Sequence, residues 1–412
     1  MRQTLRKIII KTVQTFCFFP KMPSTTFQLD LLKFITAMQR IYLFPTHLEG
    51  VDPSVQVGWK PPPASAGHNG RYLWTDAFGV LNFITLNRLT NWPGYLDYAK
   101  KLVLAVHETL GRTRDLKSQL PGATPSNPVS GGLRIGKEDE SGANGDGQYH
   151  HYLTLWMFAL NRLSIATKEK HYNDEAIALA KATHTAFVYE RDHDHPRMYW
   201  KMSVDLDVPL VDNEGRLDPA SGLAIFRLLE QTDGESSKIL QQEILDYQKI
   251  LSVEWKSFTS NDPLVLGMAL WAAHWFADRE EWARGLVGRA EHDCESLFEK
   301  KYFEGNRKER LAFTDFGTVL GIKCALGQKL GSKAEAVVKD WEAEGVVPVP
   351  TTVVENSSAN EKLFSITAVM YAAALIPGGS YLPFLTCRLM TNVNAVFQRD
   401  FLWMVRDSRK RV

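Results

Sequence analysis

Six acidic side chains stand where apolar segments of this chain begin: Asp76, Asp146, Asp218, Asp262, Asp315 and Glu361. A carboxyl group in such a place has two uses. As an N-cap it accepts from the free amides of a first helical turn and complements the helix dipole, worth about 0.5–2 kcal/mol. Set against a second carboxyl group across a glycosidic bond, it performs acid/base hydrolysis. Asp218 and Asp262 each precede a proline, which suits the first turn of a helix, so both read as caps. Asp76 and Asp146 carry the chemical expectation. Asp76 follows Tyr72 and Trp74, flat surfaces that suit a sugar ring and desolvate a neighbouring carboxyl group. Asp146 closes a Gly-rich stretch and leads into Gln148, Tyr149, His150 and His151, a polar entry to an apolar segment. Adjacent helical positions point about 100° apart, so one histidine faces a ligand and the other the core; His150 is assigned to binding. Trp200 is placed to stack on a ring and Lys201 to meet an anionic group. His193, Asp194 and His195 resemble a metal cluster only in composition, and no metal or cofactor is expected from them.

These residues need elements that bring them together. Between about residues 70 and 376 two kinds of helical segment alternate. One kind is apolar nearly all round: Ala77–Leu89, Tyr149–Leu160, Leu264–Ala277 and Leu363–Ile376, with Ser221–Leu229 and Phe316–Leu326 as shorter members. A helix without a polar face is buried on every side. The other kind is amphipathic, as in Leu240, Ile244, Tyr247 and Leu251, or Ala334, Val337, Val338 and Trp341. Six buried helices inside six half-buried ones predict an all-α (α/α)6 toroid. The last outer helix is either Leu382–Met404 or the N-terminal Phe27–Leu43. Two connections exceed what a hairpin needs, residues 112–145 and 191–215. The second carries RMYWKMSVDLDVPLV and the turn DNEG, which predicts a small β-hairpin lid over the mouth of the toroid.

Composition narrows the function. Lys plus Arg number 48 against 47 Asp plus Glu, and the 44% hydrophobic content is that of a folded protein. The balance gives no case for nucleic acid. No uncharged apolar run is long enough to span a bilayer. Cys17, Cys294, Cys324 and Cys387 lack zinc or disulfide spacing. Residues 1–25 read as a basic leader or a non-native extension, 26–405 as one toroid domain and 406–412 as a basic tail. A cytoplasmic location is the expectation, with organellar and secreted ones open; Asn356 heads a glycosylation sequon that matters only for the last. Oligomeric state is left open.

The helical pattern, GRYLWTDAFG at 70–79 and DGQYHHYLTLWMFAL at 146–160 resemble the six-hairpin glycosidase-like superfamily. That group includes unsaturated glucuronyl hydrolases, rhamnogalacturonyl hydrolases and N-acylglucosamine 2-epimerases. The resemblance implies two aspartates facing each other across the mouth, Asp76 as base and Asp146 as general acid. The expected activity is hydrolysis of a small sugar conjugate or oligosaccharide, within a binding shell of Tyr72, Trp74, Tyr149, His150, Trp200 and Lys201. Two rivals stand beside it. One is a sugar isomerase, epimerase or cyclase using an aromatic lumen of Phe78, Phe83, Trp156, Phe158, Trp271, Trp275 and Phe276. The other is a non-catalytic sugar- or partner-binding toroid.

Overall fold

A helix that is apolar on every side finds cover only inside a second layer of helices, and this chain supplies both layers in alternation. The computed structural model describes residues 25–45, 58–63, 71–142, 145–215, 217–347 and 363–380. Among them are twelve α-helices. The first six are α1 (Thr25–Tyr42), α2 (Leu73–Thr90), α3 (Gly94–Leu110), α4 (His150–Thr167), α5 (His171–Phe187) and α6 (Asp218–Asp233). The rest are α7 (Gln241–Ser257), α8 (Pro263–Ala273), α9 (Glu281–Glu299), α10 (Ala312–Ala325), α11 (Gly327–Ala343) and α12 (Phe364–Leu375).

The even-numbered helices form the inner ring. Each packs on the next, α2 on α4, α4 on α6, and so on to α12, and α12 returns to α2. The ring is therefore closed, an (α/α)6 toroid. Odd-numbered helices clothe it: α3, α5, α7, α9 and α11 each pack on the inner helix before them, and α1 packs on α12. The outer partner of the sixth hairpin thus comes from the N-terminal side; Leu382–Met404, the other expectation, lies outside the described residues.

The division follows from the side chains. In α2 every residue except Asn87 and Arg88 is buried. In α9 only Ala283, Leu286, Ala290, Cys294 and Leu297 are, a single stripe at helical spacing. The tightest point of the inner ring is the α8–α10 contact. A Cβ on Gly267 would lie 2.2 Å from the Gly317 carbonyl oxygen, and one on Gly321 2.1 Å from that of Gly267, so the two backbones touch.

The expected aromatic lumen is assembled only in part. Phe83 turns outward into a cluster with Tyr42, Phe44, Trp59 and Tyr98. Trp156 donates to His107 of α3 at 3.1 Å. Phe158 packs instead on Trp271 and Trp275, with the Arg162 guanidinium 5.0 Å from the Phe158 and Trp275 rings. A ring of helices this narrow fills its interior with side chains.

Because each outer helix returns the chain antiparallel to the inner one, all inner N-termini lie at one end. Four two-residue strands decorate that end: β1 (Gln148–Tyr149), β2 (Val188–Tyr189), β3 (Arg197–Met198) and β4 (Lys201–Met202). The hairpin is β2–β3, and β4 pairs antiparallel with β1. The lid segment is thus stitched directly to the start of α4, a pairing that the alternation within 197–211 does not foretell. His193, Asp194 and His195 sit exposed in the β2–β3 turn. Among the described residues no helix is long and apolar enough to cross a membrane.

Candidate active site

Two loops and three helices build the mouth on the α4 side of the ring. The long connection between α3 and α4 folds around Asp146. This carboxylate is 1% exposed. Its Oδ2 accepts from Arg134 at 2.6 Å and Arg114 at 2.8 Å, and its Oδ1 from the amides of Gly136 and Lys137 at 3.0 and 3.3 Å. Arg134 also donates to the carbonyl oxygens of Arg112 and Thr109. Asp146 is the anionic centre on which an otherwise irregular loop is wound.

Asp76 is equally committed. Its Oδ1 accepts from Arg71 Nε at 2.7 Å and from the hydroxyl of Tyr42, on outer helix α1, at 3.0 Å. Burial lifts its carboxyl above the ordinary value, with Arg71 opposing the rise. The same device recurs four hairpins on. Asp315, in the first turn of α10, accepts from Arg310 and from Trp341 Nε1 of outer helix α11. In each case the arginine stands five residues before the aspartate and also donates to a loop carbonyl, Pro62 or Phe303. The sequence carries this as a repeat, Arg71-Tyr-Leu-Trp-Thr-Asp76 and Arg310-Leu-Ala-Phe-Thr-Asp315. Asp76 is thus held toward the outer layer by Arg71 and Tyr42, and Asp146 inside its own loop by two arginines and two amides, so neither is the free carboxyl group expected at the mouth.

A different acid occupies the mouth. Asp262 is the cap expected of it, accepting from the amides of Leu264 and Val265. Asp218 is not. It stands one residue inside α6, whose N-cap is Leu217. Instead its Oδ1 lies 3.0 Å from His150 Nδ1 and 3.4 Å from His151 Nδ1. Burial alone would raise this carboxyl, but the hydrogen bonds and charges of the two histidines outweigh it and hold Asp218 well below the usual carboxylate range. His150 Nε2 meets the Tyr247 hydroxyl of α7 at 2.6 Å. Burial holds that hydroxyl well above its ordinary value and so protonated, and the imidazole joins it to Asp218 through its two ring nitrogens.

The two histidines divide as helical geometry requires, with the assignments exchanged. The His150 side chain is 4% exposed and locked between Asp218 and Tyr247; that of His151 is 33% exposed and faces the mouth. Around His151 lie the rings of Trp74, Tyr149, Tyr152 and Trp200, at 6.1, 5.8, 5.0 and 6.2 Å between centroids. Tyr72 stacks on Tyr152 at 6.0 Å. The predicted Tyr72, Trp74, Tyr149 and Trp200 are thus brought together, and Tyr152 joins them. The Trp74 indole N–H is buried without an acceptor among the described residues. Lys201 is set back from this wall: 1% exposed, it lies 5.1 Å from the Tyr149 ring centroid and donates to the Gly142 carbonyl. The lid reaches over Asp218 because residue 215 is glycine. A Cβ there would fall 1.9 Å from Asp218 Oδ2 and 2.8 Å from Trp200 Cβ. Trp200 is steadied by its indole bond to Asn213 at 2.9 Å.

No family model matches the chain, and no curated protein does. Similar solved structures are distant. A D-mannose isomerase is 12% identical, with 86% of this chain and 99% of that chain covered at a TM-score of 0.49. A cellobiose 2-epimerase from Spirochaeta thermophila and an unsaturated glucuronyl hydrolase specific for heparin are each 11% identical over 86% of this chain and 99% of theirs, at a TM-score of 0.47.

Proposed function

We propose that the chain is an enzyme that acts on a small sugar conjugate or oligosaccharide at the mouth of the toroid. The observation that carries the reading is the Asp218–His151 pair set in an aromatic wall. Aromatic faces take the C–H side of a sugar ring, and an imidazole held 3.4 Å from a fixed carboxylate can accept a proton and share the charge it gains. In hydrolysis His151 removes a proton from the attacking water, and Asp218 stabilises the imidazolium so formed. Asp76 and Asp146 keep the mouth in shape rather than react.

A second reading, sugar epimerisation or isomerisation, rests on the same exposed imidazole, since removal of a proton next to a carbonyl needs a base and no water. One experiment separates them. The protein is incubated in heavy water with a panel of aryl glycosides and, separately, with reducing sugars. Release of the aryl alcohol marks hydrolysis, and deuterium gained at carbon marks epimerisation or isomerisation. His151→Asn abolishes whichever is found while keeping the native circular dichroism spectrum. Ligand-induced thermal stabilisation without either product marks a binding toroid and ends the enzymatic reading.

A further inference from the structure

A second carboxyl group belongs to the mouth, and it comes from the outer layer. We propose that Glu254 of α7 is the proton donor of the site, with Asp218 as its permanently ionised counterpart. This rests on the hydrolytic reading above and gives it the acid that Asp76 and Asp146 do not provide.

Glu254 stands two helical turns after Tyr247, hence on the face of α7 that is turned to α6 and already carries the Tyr247–His150–Asp218 chain. Since α7 runs antiparallel to α6, its last turns come level with the first turn of α6, where Asp218 sits. One carboxyl oxygen, Oε2, is buried and meets no hydrogen-bond partner among the described residues. Two other carboxyl oxygens share that condition, and neither competes. Asp315 has its second oxygen bound to Arg310 and Trp341. Glu175 lies on the first turns of α5, toward the opposite end of the ring. A buried carboxyl oxygen left without a partner costs stability unless something else meets it.

The electrostatics agree with the geometry. Burial pushes the Glu254 carboxyl up to about 7, and the charges of Glu214 and Asp218 add to the rise. Glu214 is itself paired with Arg197 of the lid at 2.6 Å. Asp218 is driven the opposite way by His150 and His151. Two carboxyl groups whose surroundings separate their proton affinities are the arrangement that acid/base chemistry at neutral pH uses.

The step balances as follows. The glycosidic carbon–oxygen bond breaks, and its electron pair stays on the leaving oxygen, which takes the proton of Glu254. Water attacks the anomeric carbon and gives a proton to His151. Solvent then returns a proton to Glu254 and removes one from His151, so that the net change is hydrolysis.

The test uses Glu254→Gln, checked for an unchanged thermal midpoint in mild acid, where the wild-type carboxyl is protonated. With an alkyl glycoside, a poor leaving group, turnover is expected to fall about 10²–10⁴-fold, the usual loss for a missing general acid, and the alkaline limb of the pH–rate profile to vanish. With the matching glycosyl fluoride, which leaves without a proton, turnover stays within a few-fold of wild type. Equal losses on both substrates, or none on either, overturn the assignment. A second readout needs no turnover. Infrared difference spectra taken below and above neutrality should contain a carboxylic-acid carbonyl band that E254Q lacks. A wild-type protein that keeps this band yet hydrolyses no glycoside overturns the hydrolytic reading and supports Glu254 as the protonated group; absence of the band overturns the assignment itself.

Discussion

Replacing Asp146 by asparagine tests whether this residue shapes the mouth or reacts in it. The carboxylate accepts four hydrogen bonds, two from arginines and two from backbone amides. Asparagine keeps one acceptor oxygen and turns an amino group toward donors. Arg134, whose side chain is 6% exposed, is then left buried with only carbonyl partners, while Arg114 at 30% is partly screened by water. Breaking a buried pair by removing one partner costs about 3–5 kcal/mol. The Arg134 contact supplies most of that here. Urea unfolding followed by circular dichroism should show the loss as a lower midpoint. Limited proteolysis should show earlier cleavage within residues 112–142, because their winding depends on this anion. An Asp146→Asn protein with a midpoint within about 1 kcal/mol of wild type, native protease resistance and no turnover would refute the structural role and return Asp146 to the chemistry.

His150→Asn should lower stability by about 1–3 kcal/mol, since it leaves the buried Tyr247 hydroxyl and Asp218 without their shared partner; His151→Asn, at a more exposed and longer contact, should lower the urea midpoint less. Asp218 has a depressed folded value, so its stabilisation is fully present above the ordinary carboxylate range and is lost as pH falls through and below that range. Midpoints measured down to strongly acid pH should therefore fall more steeply in wild type than in Asp218→Asn. Glu175 shows the reverse sign: burial raises its carboxyl to about 7, so the native state loses stability as pH rises from its ordinary value of 4.5 through about 7. Glu175→Gln should flatten that loss and exceed wild type in midpoint above neutrality, with no gain in mild acid. Gly321→Ala should separate α8 from α10 and destabilise by about 1–3 kcal/mol, seen in the same unfolding curves.

The architecture was written in periodicity. Segments apolar all round have no stable place except an interior, and stripes such as Ala334, Val337, Val338 and Trp341 have only one face to bury, so two concentric layers follow from local chemistry. Closure of the ring followed too, because an open array would leave inner faces such as that of α12 in water. The aromatic wall of Tyr72, Trp74, Tyr149 and Trp200 was legible because each residue lies beside the start of an inner helix or in the loop that covers it. The repeat Arg71-to-Asp76 and Arg310-to-Asp315 was legible as well, and would have marked Asp76 as a held residue.

What tertiary structure decided was the partner of each charge. A carboxylate at a helix start looks the same in sequence whether it caps, as Asp262 does, pairs with an arginine, as Asp76 and Asp315 do, or meets histidines, as Asp218 does. Its role depends on which side chain an outer helix or a distant loop delivers within about 3 Å, and hydrogen-bond energy falls off too steeply for sequence spacing to predict it. Glu254 is the clearest instance. On its own helix it is one more polar residue near a C-terminus; only the antiparallel return of α7 against α6 and the lid carrying Glu214 bring it within the field of Asp218 and push its carboxyl up.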